Sequence, residues 1–288
     1  MRLDLLGVRG STAAPGADFV RYGGHTSCVA VSTGEAADPR LVLDAGTGIR
    51  LLTARLAGRP FDGSILLSHL HWDHMQGLPF FAAGDRPDAR ADVYVPAQLG
   101  RSGHDLLAQA FSPPAFPIGT SGMQGRWTVH GLEAGEHCIE GYQIQALDLA
   151  HKGGRTFGYR VSDGIATMAY VPDHAPAVGV SDELLEALAG VDVLMHDAQF
   201  LDAERPLAVD YGHATVEDCL ALAQKVSARA LVLVHHSPTR SDEALDAIDT
   251  WAREQADGLE VVTAREGDVL DVGPAGLVTH RSTPGVGQ

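Results

Sequence analysis

Ser68-His69-Leu70-His71-Trp72-Asp73-His74 follows directly on the apolar run Ile65-Leu66-Leu67 and has the form H-x-H-x-D-H. The apolar run reads as a strand. In an extended segment residues i and i+2 point the same way, so His69 and His71 can grip one ion. A turn after Trp72 would aim Asp73 and His74 at a second. Imidazole and carboxylate are ordinary ligands of divalent metals, and four donors so close in sequence suit two adjacent ions.

Companion ligands are expected at other strand ends, where side chains of neighbouring strands converge on one rim. Three residues stand there: His151 after Gln145–Ala150, Asp173 after Met168–Pro172, and His235 after Ala230–Val234. His236 adjoins His235, and spacing does not choose between them.

Working outward, short apolar runs read as strands at 3–8, 28–32, 41–43, 64–68, 92–95, 142–149, 157–161, 165–171, 191–196, 230–235 and 260–263. Apolar spacing places helices at 47–57, 103–111, 181–189, 215–226 and 241–256. Thr215 with Asp218 forms a capping-box signature, and Ser181 and Ser241 can cap helices whose first turns are acidic. The class is α/β, or α+β by some schemes.

The chain has 288 residues, 45% apolar and 20% charged, with a formal charge of −16. It can bury a proper core, and its field repels polyanions. Cys28, Cys138 and Cys219 are far apart and form no C-x-x-C pattern, which suits reduced thiols in a cytosolic protein. Met1–Gly10 lacks the order of a signal peptide, and no apolar run approaches the roughly 18 residues of a membrane span. A cytoplasmic protein with no membrane partner is expected. One domain over 1–272 is the expectation, with a Gly-, Pro- and Ala-rich excursion at its rim over 82–125, a lid or dimer contact, and a loose tail over 273–288.

The chain resembles the metallo-β-lactamase superfamily along nearly its whole length, through Leu6–Gly10, Tyr22–Cys28, Leu43–Gly48, His69–His74 and Val234–Ser237. The resemblance implies a four-layer αβ/βα sandwich with a dinuclear metal site at the edge of its two sheets, holding Zn²⁺, with Mn²⁺ or Fe²⁺ as alternatives. It implies that His69, His71 and His151 hold the first ion, that Asp73, His74 and His235 hold the second, and that Asp173 bridges them. It favours His235 over His236. Asp44 matches an early aspartate that supports a ligand histidine by a hydrogen bond.

Tyr211-Gly212-His213-Ala214-Thr215 resembles the phosphodiesterase branch that contains tRNase Z. On that likeness His213 protonates the leaving alkoxide or orients the phosphoryl group. Asp73 holds or orients a metal-bridging hydroxide that attacks phosphorus. The segment His196–Phe200 parallels a structural element of the same branch and receives no catalytic role. Lys152 and Arg155 form a cationic pair that can touch a substrate phosphate, with a solvated turn as the alternative reading. Trp72 is expected to pack beneath the metal loop, with lining the pocket as the alternative.

The tRNase Z family carries a long basic arm between its third metal histidine and the bridging aspartate. Here only Lys152–Pro172 intervenes, which reads as a tight hairpin turning near Asp163-Gly164. The expected substrate is therefore a small anionic phosphodiester, a cyclic nucleotide or a phosphoribosyl cyclic phosphate, and large RNA is disfavoured. The alternatives are a tRNase Z-like endoribonuclease, or a lactonase, thioesterase or β-lactamase-type acyl hydrolase. The branch commonly forms homodimers, and a homodimer is expected here.

Overall fold

A computed structural model describes residues 1–280. In chain order its elements are β1 Arg2–Gly7, β2 Cys28–Ser32, β3 Leu41–Leu43, α1 Ile49–Arg55, β4 Asp62–Leu66, α2 Trp72–Met75, β5 Arg90–Pro96 and α3 Gly103–Ala108. There follow β6 Arg126–Leu132, β7 Gly135–Ile139, β8 Tyr142–Asp148, β9 Phe157–Ser162, β10 Thr167–Val171, α4 Asp182–Leu188, β11 Val193–Asp197 and α5 Arg205–Tyr211. The chain continues through α6 Val216–Lys225, β12 Ala230–Val234, α7 Asp242–Gln255, β13 Glu260–Thr263, β14 Val269–Gly273 and β15 Gly276–His280.

Two sheets form, ordered β15-β14-β1-β2-β3-β4-β5-β6 and β13-β12-β11-β10-β9-β8-β7. Period-two alternation sends each central strand's side chains to two different cores. In β2, Val29 and Val31 join the core between the sheets, whereas Cys28 and Ala30 face the cluster that includes Ile49 and Leu52 of α1 and Leu107 of α3. In β12, Ala230, Val232 and Val234 face inward, while Leu231 and Leu233 meet α4, α6 and α7. Strands buried on both faces read as continuous apolar runs, and the outcome is helices, sheet, sheet, helices: the expected four-layer sandwich.

Strand direction positions the site. β3 and β4 are parallel. β10, β11 and β12 run parallel, and β8 shares their direction because it is antiparallel to β9, which is antiparallel to β10. The C-terminal ends of β3 and β4, and those of β8, β10, β11 and β12, carry Asp44, the 68–74 loop, His151, Asp173, Asp197 and His235. The β9–β10 hairpin turns at Asp163-Gly164 as expected. Asp163 Oδ1 accepts from the N–H groups of Ile165 and Ala166, the side-chain mimicry that favours aspartate in turns. The Thr215 and Asp218 capping box and the Ser181 and Ser241 caps also form.

Two expectations need correction. The 82–125 stretch is not peripheral as a whole, because β5 pairs in parallel with both β4 and β6 inside the first sheet. Its outlying part is α3 and the Pro-rich loop after it. Nor does a loose tail begin at 273: β15 pairs antiparallel with β14 from Val269↔His280 to Gly273↔Gly276. The rest of that expected tail, 281–288, lies outside the described residues. Among the described residues, no helix is long and apolar enough to cross a membrane.

Candidate metal centre

The 68–74 loop is tied to the first sheet by Asp44. The Ser68 N–H donates to Asp44 Oδ1 at 2.7 Å and the Ser68 hydroxyl to Oδ2 at 2.9 Å. His71 then occupies the N-cap position of α2, the single turn that carries Asp73 and His74. Three non-glycine residues take left-handed backbone at this rim: Ser11 (φ 62°), Asp44 (φ 58°) and His235 (φ 56°). Such conformations persist only where the surroundings over-determine them.

The structure brings all seven expected donors together in two groups. In the first, His151 Nε2 lies 3.3 Å from His71 Nδ1, and Asp173 Oδ2 lies 3.6 Å from His69 Nε2 and 3.4 Å from His151 Nε2. In the second, Asp73 Oδ2 is 3.2 Å from both His74 Nε2 and His235 Nε2, which are 3.3 Å apart. The other oxygen of Asp173, Oδ1, faces this second group, 3.1 Å from His74 Nε2 and 3.2 Å from His235 Nε2.

These spacings fit metal cages. Ligand bonds of about 2.0–2.1 Å in a tetrahedron put ligand atoms roughly 3.3–3.4 Å apart, and the atoms of each group can hold an ion. His69 Nε2 and Asp173 Oδ1 are buried with no hydrogen-bond partner, a costly arrangement unless a cation completes it.

The remaining ring nitrogens are held from outside. His69 Nδ1 meets the Ser68 hydroxyl at 3.0 Å, His74 Nδ1 meets Asp44 Oδ2 at 2.7 Å, and His151 Nδ1 donates to the Gly212 carbonyl at 2.6 Å. Such partners fix the ring orientation and tautomer. Asp44 thus hydrogen-bonds His74, and it also accepts from the Tyr170 hydroxyl at 2.8 Å. Gly10 is required by close approach, since a Cβ there would lie 2.4 Å from the His235 ring.

The two groups differ in charge. Burial, reinforced by neighbouring imidazoles, holds His69 and His71 below the usual imidazole range, and burial does the same for His151. Burial also opposes charge on His235, but Asp173, Asp197 and Asp73 more than offset it and push the imidazole up to about 10. His74 is raised likewise, burial being overcome by Asp173, Asp73 and Asp44. These surroundings favour the neutral imidazole in the first group and the charged one in the second. A group with a raised pKa holds its proton more tightly, so metal entering the second group must expel protons and loses about tenfold in affinity per pH unit for each one. On dialysis from pH 8 to pH 5, metal content should fall from two ions per chain to a plateau near one before the rest is lost. A single-step loss of both ions would contradict this asymmetry.

His213 sits beside both groups. Its ring centroid is 5.1 Å from that of His235 and 5.0 Å from that of His151, and Nδ1 is 4.0 Å from Asp173 Oδ2. Asp197, which the sequence left without a role beyond structure, accepts from His213 Nδ1 at 2.9 Å. The signal was its position at the end of β11, between the strands that end at Asp173 and His235. Asp197 is held below the usual carboxylate range: burial would raise it, and His213 and His235 overcome that.

His236 turns away, its Nε2 meeting the Ala264 carbonyl at 3.0 Å, which leaves His235 as the donor on this strand. The cationic pair separates. Lys152 is exposed and meets Asp210 at 3.1 Å. Arg155 is occupied by both oxygens of Asp148, by Glu133 and by the Ala97 carbonyl, so its charge is already balanced and the expected phosphate contact is withdrawn. Trp72 does not pack beneath the loop. It is 67% exposed, because α2 is a single turn whose inward positions are taken by Asp73, His74 and Met75.

The family model described as a beta-lactamase superfamily domain matches residues 39–236. Ribonuclease Z of Natronomonas pharaonis is 23% identical over 285 residues, covering 81% of this chain and 88% of that protein. An uncharacterized protein of Mycobacterium tuberculosis is 28% identical over 252 residues, covering 84% and 83%. Among solved structures, a diphosphatase from the PhnP family superposes with a TM-score of 0.70 at 20% identity, covering 94% of this chain and 97% of that one. With its helix-flanked pair of sheets and its seven converging donors, the chain belongs to the beta-lactamase superfamily and has the metallo-β-lactamase fold.

Proposed function

We propose that the chain is a dinuclear-metal phosphodiesterase acting on a small nucleotide diester or phosphoribosyl cyclic phosphate. His69, His71 and His151 would hold one ion, Asp73, His74 and His235 the other, and Asp173 both, with Zn²⁺ the first choice and Mn²⁺ or Fe²⁺ also suited to these donors. Two such ions, when bound, supply a hydroxide nucleophile near neutral pH and neutralise phosphoryl charge.

The observation that carries this reading is His213 held by Asp197 beside both donor groups. With Nδ1 donating to Asp197, Nε2 is the atom left to meet a substrate, and an imidazolium oriented this way can protonate a departing alkoxide. A ribose alkoxide needs that proton; a thiolate leaving group does not. Asp73, fixed by the Ser11 N–H at 2.7 Å, orients the nucleophile's side of the site. Small size of the substrate is supported by the net charge of −16, by the short β9–β10 hairpin in place of a basic arm, and by the engagement of Arg155 with acids. The likeness to ribonucleases Z supports phosphodiester chemistry and makes RNA the second reading.

Metal analysis followed by a substrate panel tests the proposal: bis-p-nitrophenyl phosphate, 2′,3′- and 3′,5′-cyclic nucleotides, a pre-tRNA and nitrocefin. Two ions per chain and turnover of cyclic nucleotides are expected. Turnover confined to pre-tRNA would move the assignment to the endoribonuclease, and turnover confined to nitrocefin would end the phosphodiesterase reading.

A further inference from the structure

Leu70 and Trp72, the sequence neighbours of His71, do not join the donor groups. They line a cleft of about 350 Å³ whose far wall is Gln109, Ala110 and Ala115, from the end of α3 and the loop after it. Gly153 lines the cleft on the side that faces the metal centre. Its φ is +87° and a Cβ there would stand 2.7 Å from His71 Nε2, so the His71 ring of the first donor group lies directly behind Gly153. Trp72 is also a wall of the adjoining apolar recess formed with Phe80, Phe111 and Phe116. A tryptophan this exposed, one residue from each of two donors, gains little for the fold and costs apolar surface in water. Its indole face is a platform.

We propose that the cleft beside His71 is a base subsite, in which the heteroaromatic base of a nucleotide stacks on Trp72 while the phosphate lies at the donor groups. The inference rests on the phosphodiesterase reading above and narrows its substrate class to diesters that carry a nucleobase. Three features favour a base over a sugar or an acyl chain. The main surface is a flat indole, base–aromatic stacking is favourable for any base, and the polar edge of the cleft is an amide. Gln98 lines the cleft with its Oε1 already accepting from the Arg155 N–H at 3.0 Å, so its NH₂ is the group left to donate to a ring nitrogen or carbonyl. Gly153, in left-handed backbone and without a side chain, keeps the side of the cleft next to His71 clear.

The test separates this subsite from the chemistry. The first arm compares adenosine 2′,3′-cyclic phosphate with methyl riboside 2′,3′-cyclic phosphate, which lacks the base, in wild type, Trp72→Phe and Trp72→Ala. Trp72→Ala should raise KM for the nucleotide about 5- to 150-fold, the loss expected for one base–aromatic stack, with kcat and metal content kept. KM for the base-free diester should not move, and Trp72→Phe should retain most of the affinity. Equal losses on both substrates, or none on either, would overturn the subsite while leaving the phosphodiesterase reading intact. The second arm needs no turnover: in the metal-loaded Trp127→Phe/Trp251→Phe protein Trp72 is the sole tryptophan. Adenosine 5′-monophosphate should quench its fluorescence and ribose 5-phosphate should not. Quenching without any diester hydrolysis would keep the subsite and sink the phosphodiesterase reading; no quenching would sink the subsite, including where Trp72→Ala fails to fold.

Discussion

Asp173→Ala should purify with less than one ion per chain and lose phosphodiester turnover by at least about 10³-fold. Removing a group that merely supports a ligand costs about 10- to 100-fold in metal affinity, and Asp173 does more than that. Its two oxygens face the two donor groups separately, Oδ2 toward His69 and His151 and Oδ1 toward His74 and His235. Alanine therefore strips a donor from each cage at once. It also deletes one of the buried anions that favour the charged forms of His74 and His235, leaving Asp73, Asp44 and Asp197 to balance them. The metal-free variant should melt below the metal-free wild type. Asp173→Asn keeps the shape and one acceptor oxygen but not the charge, and should fall between. Elemental analysis beside turnover decides the matter; two ions retained in Asp173→Ala would show that the donor groups close without it.

His213→Ala has the second largest expected effect, and its signature differs. The two cages share seven donors without His213, so metal content should stay near two ions while turnover of ribose diesters drops about 10²–10⁴-fold, the usual worth of a positioned acid. The leaving group supplies the internal control. Bis-p-nitrophenyl phosphate, whose phenolate departs without help, should lose much less than a cyclic nucleotide. Asp197→Asn should move in the same direction, because Nδ1 of His213 then lacks its anionic partner. Equal losses across leaving groups would remove the proton-donor role.

What could be read from the chain divides along physical lines. Buried strands such as Cys28–Ser32 and Ala230–Val234 announce themselves because both faces are apolar. The edge strands β6 and β7 do not: Arg126-Trp127-Thr128-Val129-His130 alternates with solvent on one side, and Gly135–Ile139 is polar as edge strands usually are. The His69–His74 donors were legible because one short loop carries them. Choosing His235 over His236 needed either kinship or the left-handed φ that sends the two rings to opposite sides. Asp197 is not legible in the sequence because its value depends on Gly212, whose left-handed φ of 81° ends α5 and returns His213 to the end of β11. Arg155 looks free in sequence; Asp148 comes beside it only when β8 and β9 pair, and Glu133 reaches it from the turn between β6 and β7.

Each cage draws from both halves of the molecule: His69, His71, Asp73 and His74 hang from the first sheet, and His151, Asp173 and His235 from the second. A nascent chain leaving the ribosome thus exposes a partial chelate long before the last donor, 166 residues after the first, has been synthesised. Tight capture would have to await docking of the two sheets, and ions held there would act as rivets across the seam, adding stability that grows with their free concentration.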